Sequence, residues 1–175
     1  MSNPPQVYHS HYPTPHPRDV GFLLTNHCLM KNIDQISVNF TYSEFEDSEK
    51  AIELRIDNTI PNDNIRTAIR LLVLNVLQPL RNAYSKPLIL NSGYRTPELN
   101  KAVKGSKNSQ HTKGEAADIR AEDPLLLLQL LQKHKIPFDQ VILYDDFIHI
   151  SFKATGKQRN QILYDDSYKQ NYPKE

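Results

Sequence analysis

Ser92-Gly93-Tyr94-Arg95, then Ser109-Gln110-His111-Thr112-Lys113-Gly114-Glu115-Ala116-Ala117-Asp118, then Asp146-Phe147-Ile148-His149, are the segments on which the reading of this chain turns. Three of its five glycines (Gly93, Gly105 and Gly114) fall in or between the first two. Lys86-Pro87-Leu88-Ile89-Leu90-Asn91 is a short apolar run stopping at Gly93, which predicts a buried strand leading into the first segment. Residues 115–120 read as a second strand. Residues 140–144 and 147–152 read as an antiparallel hairpin turning at Asp145-Asp146, and 161–164 as an edge strand.

Upstream, helices dominate. Ser43 with Glu46 spells a capping box for a short helix running to about residue 54. Ile65, Ile69, Leu72, Val76, Leu80 and Ala83 step by three and four, laying one apolar stripe along a helix to about Tyr84. Pro79 falls inside that stripe and either kinks the helix or marks its last turn. Thr96 caps and Pro97 opens a helix over 97–104, with Gly105 as its stop. Asp123-Pro124 opens a leucine-rich helix to about residue 135. Helices first and a small sheet later predict an α+β fold, with helices packed on a mainly antiparallel sheet.

The 175 residues suit one domain with a proper core. Residues 1–36, with Pro4, Pro5, Pro13, Pro15 and Pro17, read as a proline-rich flexible arm. The domain is expected over 37–165 and a tail over 166–175. His9, His11 and His16 lie in the arm, where nothing holds ligands in place. A net charge of +1 gives no electrostatic footprint for nucleic acid or an anionic membrane, and neither is expected as a partner. Cys28 is the single cysteine, so no internal disulfide forms. No apolar run approaches the roughly 20 residues of a membrane span. The start lacks a basic, then apolar, signal pattern, so synthesis in the cytoplasm is expected. A monomer is expected.

The chemistry sits in the quoted segments. His111 and Asp118 stand seven residues apart across Gly114, one at a loop end and the other on the following strand. Imidazole nitrogen and carboxylate oxygen both ligate zinc, and a catalytic site keeps three protein ligands with one open position. His149 supplies a third ligand. Strand alternation puts it on one face with Ser151, while Ile148, Ile150 and Phe152 face the core. Such a donor set also suits other divalent ions. Asp146 falls in the turn before His149, placed to act as a general base; Asp145 is adjacent, and spacing does not choose between them. Arg95, after a glycine turn, is placed to polarise a carbonyl or steady an oxyanion.

Together the three segments resemble the zinc peptidases of family M15, over about residues 37–155. That family includes D-Ala-D-Ala carboxypeptidases, D-Ala-D-Ala dipeptidases and phage L-alanyl-D-glutamate endolysins. The resemblance implies a single zinc ion on His111, Asp118 and His149, Asp146 as general base, and Arg95 in the transition-state role. Ser109 and Gln110, with Ser92 and Tyr94 of the arginine segment, are the expected substrate pocket. The dipeptidases carry Glu where this chain has Asp146, so the carboxypeptidases and endolysins are the nearer branches. The expected partners are peptidoglycan stem peptides and the expected reaction is release of a terminal D-alanine at the cell wall or periplasm. The alternatives are an L-Ala-D-Glu endopeptidase and a non-catalytic zinc domain, as in the Hedgehog signalling proteins that share the scaffold.

Overall fold

The fold, a computed structural model, describes residues 34–171. The expected arm up to residue 33, with His9, His11 and His16, lies outside the described residues, as does Cys28.

The described chain opens with a small two-stranded ribbon, β1 (Gln35–Ser37) and β2 (Phe40–Thr41). Two short helices follow, α1 (Tyr42–Glu46) and α2 (Glu49–Leu54). The sequence suggested one helix capped by Ser43 and Glu46. The capping box is instead made by Thr41 and Glu44, and the chain breaks at Asp47 so that Ser48 caps α2. Thr41 and Glu44 have the same three-residue spacing two residues earlier, and Phe45 is turned fully into the core.

The apolar stripe forms one long helical rod: α3 (Asp63–Leu72), a π-helical turn (Val73–Leu77) and α4 (Gln78–Tyr84). Asn62 caps its start through a side-chain oxygen that accepts from the Ile65 N–H. Pro79 neither ends nor breaks the rod. Proline lacks an N–H and its ring crowds the carbonyl one turn back. The wider π turn just before it, with the Gln78 N–H bonded to the Val73 carbonyl, accommodates the ring. Ile69, Leu72, Val76, Leu77 and Leu80 are buried along one side.

The sheet contains β3 (Ile89–Ser92), β4 (Ala116–Arg120), β5 (Gln140–Leu143), β6 (Phe147–Ser151) and β7 (Gln161–Tyr164), in the order β3-β4-β6-β5-β7. All neighbours are antiparallel except β5 and β7. The fold is therefore α+β with a mainly antiparallel sheet, as the sequence predicts. One correction concerns β3. The run read as a buried strand is an edge strand; only Leu88 before it is buried, while Ile89 is half exposed.

Ala117 and Ile119 of β4, Ile148 and Ile150 of β6, and Val141 and Leu143 of β5 share the core face. They join the rod and the leucine-rich helix α6 (Pro124–Lys133) in a continuous buried cluster. Truncating such a residue to alanine costs about 2–5 kcal/mol. Between β3 and β4 lie α5 (Pro97–Ala102), capped by Thr96, and a 3₁₀ turn (Gln110–Lys113). α5 ends earlier than expected, and Lys104 rather than Gly105 takes the left-handed conformation after it. The segment read as tail begins with α7 (Asp166–Asn171), whose Tyr168 is buried in the core.

Candidate metal centre

The face of the sheet opposite the core carries the chemistry. Asp118 on β4 and His149 on β6 are directly paired across the ladder, and Ser92 on β3 pairs with Asp118 from the other side. Strand alternation that sends Ile119 and Ile148 into the core therefore sends Asp118 and His149 outward together.

His111 arrives from the 3₁₀ turn. Two glycines make that approach possible. Gly93 lies so close to α1 that a Cβ there would stand 2.7 Å from the Phe45 Cα. Gly114 closes the turn with φ +69, and a Cβ there would stand 2.9 Å from the Ile65 carbonyl oxygen. The two loops are then tied together: His111 Nδ1 donates to the Gly93 carbonyl at 2.7 Å, and the Arg95 N–H donates to the His111 carbonyl at 3.2 Å.

With its proton held on Nδ1 by that carbonyl, His111 presents a bare Nε2. It lies 3.2 Å from Asp118 Oδ1 and 3.3 Å from His149 Nδ1, and His149 Nδ1 lies 2.8 Å from the same Oδ1. Three potential ligand atoms thus converge on one point. In a tetrahedral zinc site with bonds of about 2.0–2.2 Å, ligand atoms stand about 3.3–3.5 Å apart. The two His111 separations suit a zinc ion, and the His149–Asp118 pair, drawn in to 2.8 Å by its hydrogen bond, is the one that would open to admit it. Among the described residues no fourth His, Cys, Asp or Glu joins the group.

Electrostatics agree. Burial lowers the His111 pKa, against the pull of Asp118, and keeps the ring neutral. Burial alone would raise the Asp118 pKa, but the imidazoles of His111 and His149 against its Oδ1 hold it well below the usual carboxylate range. Asp118 is thus held as a carboxylate, the form in which it ligates a metal.

Arg95 completes the centre from behind. Its Nη2 donates to Asp118 Oδ2 at 2.7 Å and its Nε to Ser92 Oγ at 2.8 Å. Asp118 is therefore held through one oxygen while the other faces the imidazoles. Buried Asn58 pins the Arg95 loop: its amide donates to the carbonyls of Glu46 and Tyr94, and its oxygen accepts from the Thr96 N–H. Nothing local in sequence marks it, because all its partners are distant.

A cavity of about 610 Å³ opens over the triad, with Arg95, Ser109 and Gln110 in its lining. Ile142, Tyr144 and Phe147 form an apolar wall, the two rings stacked at 4.0 Å between centroids. A neighbouring cavity of about 720 Å³ shares Arg95 and is lined by Ser92 and Asp146. Asp146 is exposed in the turn before β6. Asp145, its sequence rival, lines neither cavity and accepts from the Asn171 side chain at 3.2 Å. Tyr94 is a correction. Expected in the substrate pocket, it is 3% exposed and belongs to the core. Its N–H is fixed to the Phe45 carbonyl at 2.8 Å, which turns the ring inward, and burial raises its pKa.

A protein-family model described as Peptidase M15 matches residues 38–151, a span containing the triad, Arg95 and Asp146. No curated protein matches the chain. The matched span is well over half of the chain, and the chain belongs to peptidase family M15.

Proposed function

We propose that this M15 peptidase is a zinc-dependent hydrolase of peptide bonds in peptidoglycan stem peptides, releasing a terminal D-alanine. The observation that carries the reading is the three-ligand triad beneath an open cavity. A structural zinc site is closed by four protein ligands, whereas a catalytic one leaves a position for water or substrate. The open position supports a catalytic reading over a non-catalytic zinc domain of the same fold.

Bound at His111, Asp118 and His149, zinc supplies a Lewis acid that polarises the scissile carbonyl and acidifies the attacking water. The chain's own residues do the rest. Asp146 takes the proton of the water and returns it to the leaving amine. Supporting that assignment is an exposed carboxylate three residues before His149, in a cavity it shares with Arg95. Arg95 orients Asp118 and uses two of its five N–H donors on Asp118 and Ser92, leaving others for the oxygen that gains charge during attack. Tyr144, Phe147 and Ile142 offer an apolar wall for a small side chain such as a methyl group.

A second reading, an L-Ala-D-Glu endopeptidase, is favoured by one observation: a second cavity shares Arg95 with the metal cavity and would offer room for chain on both sides of the bond. Digestion of stem peptides with and without the terminal D-Ala-D-Ala, followed by mass spectrometry, separates the two. Loss of one alanine supports the carboxypeptidase, and cleavage of the shortened peptide at L-Ala-D-Glu replaces it with the endopeptidase.

A further inference from the structure

Away from the triad, the same cavity has a second, positively charged wall. Beneath it sits Asp139, 0% exposed. Its Oδ2 accepts from Arg159 Nε at 2.9 Å, from Arg159 Nη2 and from Gln110 Nε2 at 3.1 Å. Its Oδ1 accepts from the Arg159 N–H at 2.8 Å and faces Lys153 Nζ at 3.3 Å. Arg159 Nη2 also donates to Gln110 Oε1 at 2.9 Å, next to the ligand His111. One buried carboxylate thus holds two cations whose side chains remain 32% and 43% exposed, and both line the metal cavity.

The charges there do not cancel. Lys113 lines the cavity as well, and apart from Asp118 the lining offers only Glu115, whose Oε1 is already engaged by the Ala154 N–H at 3.0 Å. The neighbouring cavity that shares Arg95 is mixed instead, with Asp47, Glu49, Glu53 and Asp146 set against Lys50 and Arg120. A latch fastening the loop after β6 would account for Arg159, whose backbone and side chain both bind Asp139. It leaves Lys153 unexplained, since a single carboxylate does not need two cations.

We propose that Lys153 and Arg159 form a subsite for a carboxylate group of the substrate, with Asp139 as the positioning residue that aims them into the metal cavity. This rests on the peptidase reading and deepens it. A carboxylate seated there lies on the Gln110 side of the triad, away from the cavity that holds Asp146, so it orients a bound peptide. The guanidinium and ammonium donors suit a carboxylate by charge-assisted hydrogen bonding.

The test uses the zinc-loaded full chain and pairs of short peptides that differ only in a C-terminal carboxylate or carboxamide. The wild type is expected to favour the acid through KM. Lys153→Met should raise KM for the acid about tenfold, as for loss of one charge-assisted hydrogen bond, and collapse the acid-to-amide ratio. Lys153→Arg should restore the ratio. Lys133→Met makes the same change of net charge at an exposed position of α6, outside the metal cavity, and should leave the ratio at its wild-type value. An unchanged ratio in Lys153→Met overturns the subsite while leaving the peptidase standing. Calorimetric titration with N-acetylglycine and N-acetylglycinamide gives a readout independent of turnover. Weaker binding of the acid in Lys153→Met supports the subsite even if no peptide is cleaved, in which case it is the peptidase reading that falls. Acid binding indifferent to Lys153 would place the carboxylate on the metal and overturn the subsite.

Discussion

Arg95 and Asp118 meet at 2.7 Å, Nη2 to Oδ2, while the other oxygen of the same carboxylate faces both imidazoles of the triad. One side chain thereby decides which oxygen is offered to a metal. Partners of this kind typically govern metal affinity by 10–100-fold. Arg95→Gln should therefore weaken zinc binding by roughly that factor as well as slow turnover, and Arg95→Lys, which lacks the planar fork, should recover only part of the loss. Competition with a fluorescent chelator checks the affinity. Unaltered zinc affinity in Arg95→Gln would confine Arg95 to the transition state.

Ligand and base variants should part company. His149→Ala is expected to lose both zinc and activity. Asp146→Ala is expected to keep zinc and lose about 10²–10⁴-fold in kcat, the usual contribution of a general base. Metal analysis beside steady-state kinetics makes the comparison. Full turnover in Asp146→Ala would remove the base assignment.

Zinc should also stabilise the fold, because the triad joins three distant segments that are separate in the unfolded chain. Chelation should lower Tm in the wild type, with the size set by free zinc relative to its Kd. His111→Ala should melt at one temperature with or without zinc. Differential scanning calorimetry at matched protein concentration reads this directly.

Asp139 gives a pH dependence with a definite sign. Burial would raise its pKa, but hydrogen bonds from the Arg159 side chain and backbone and from Lys153 hold it down to about 2. A pKa depressed below the unfolded value of 3.8 contributes stability that is complete above about pH 4–5 and is lost as pH falls toward 2. The contribution is on the order of 2 kcal/mol. Denaturant unfolding from pH 6 to pH 2.5 should show a steeper acid loss in the wild type than in Asp139→Asn. Parallel profiles would mean that the ion pair adds nothing on folding.

Gly114→Ala should cost about 1–3 kcal/mol, since an L side chain would occupy a left-handed conformation against the Ile65 carbonyl. Because the same turn carries His111, its zinc affinity should fall with its denaturant midpoint. A neutral substitution would show that the turn yields without moving the ligand.

Much of this was legible in the residues because it is local. Alternation in Phe147–Ser151 assigns His149 to the face opposite Ile148 and Ile150, and the three- and four-residue stripe from Ile65 to Ala83 predicts the rod. Other features depend on partners far along the chain. Leu88-Ile89-Leu90 is as apolar as a central strand, yet β3 has a neighbour on one side only. Tyr94 sits between two site residues, but a backbone bond to Phe45 sends its ring into the core. Asp139 and Arg159 are 20 residues apart and meet only once β5 and β7 pair in parallel. Pro79 signals a disturbance, though only the surrounding packing selects a π turn over a kink.

The most direct measurement incubates the zinc-loaded protein with purified muropeptides and reads the products by mass spectrometry. The expected result is loss of a single terminal alanine from pentapeptide stems, abolished by chelation and restored by zinc. A protein that holds zinc on His111, Asp118 and His149 yet leaves every stem peptide intact would contradict it.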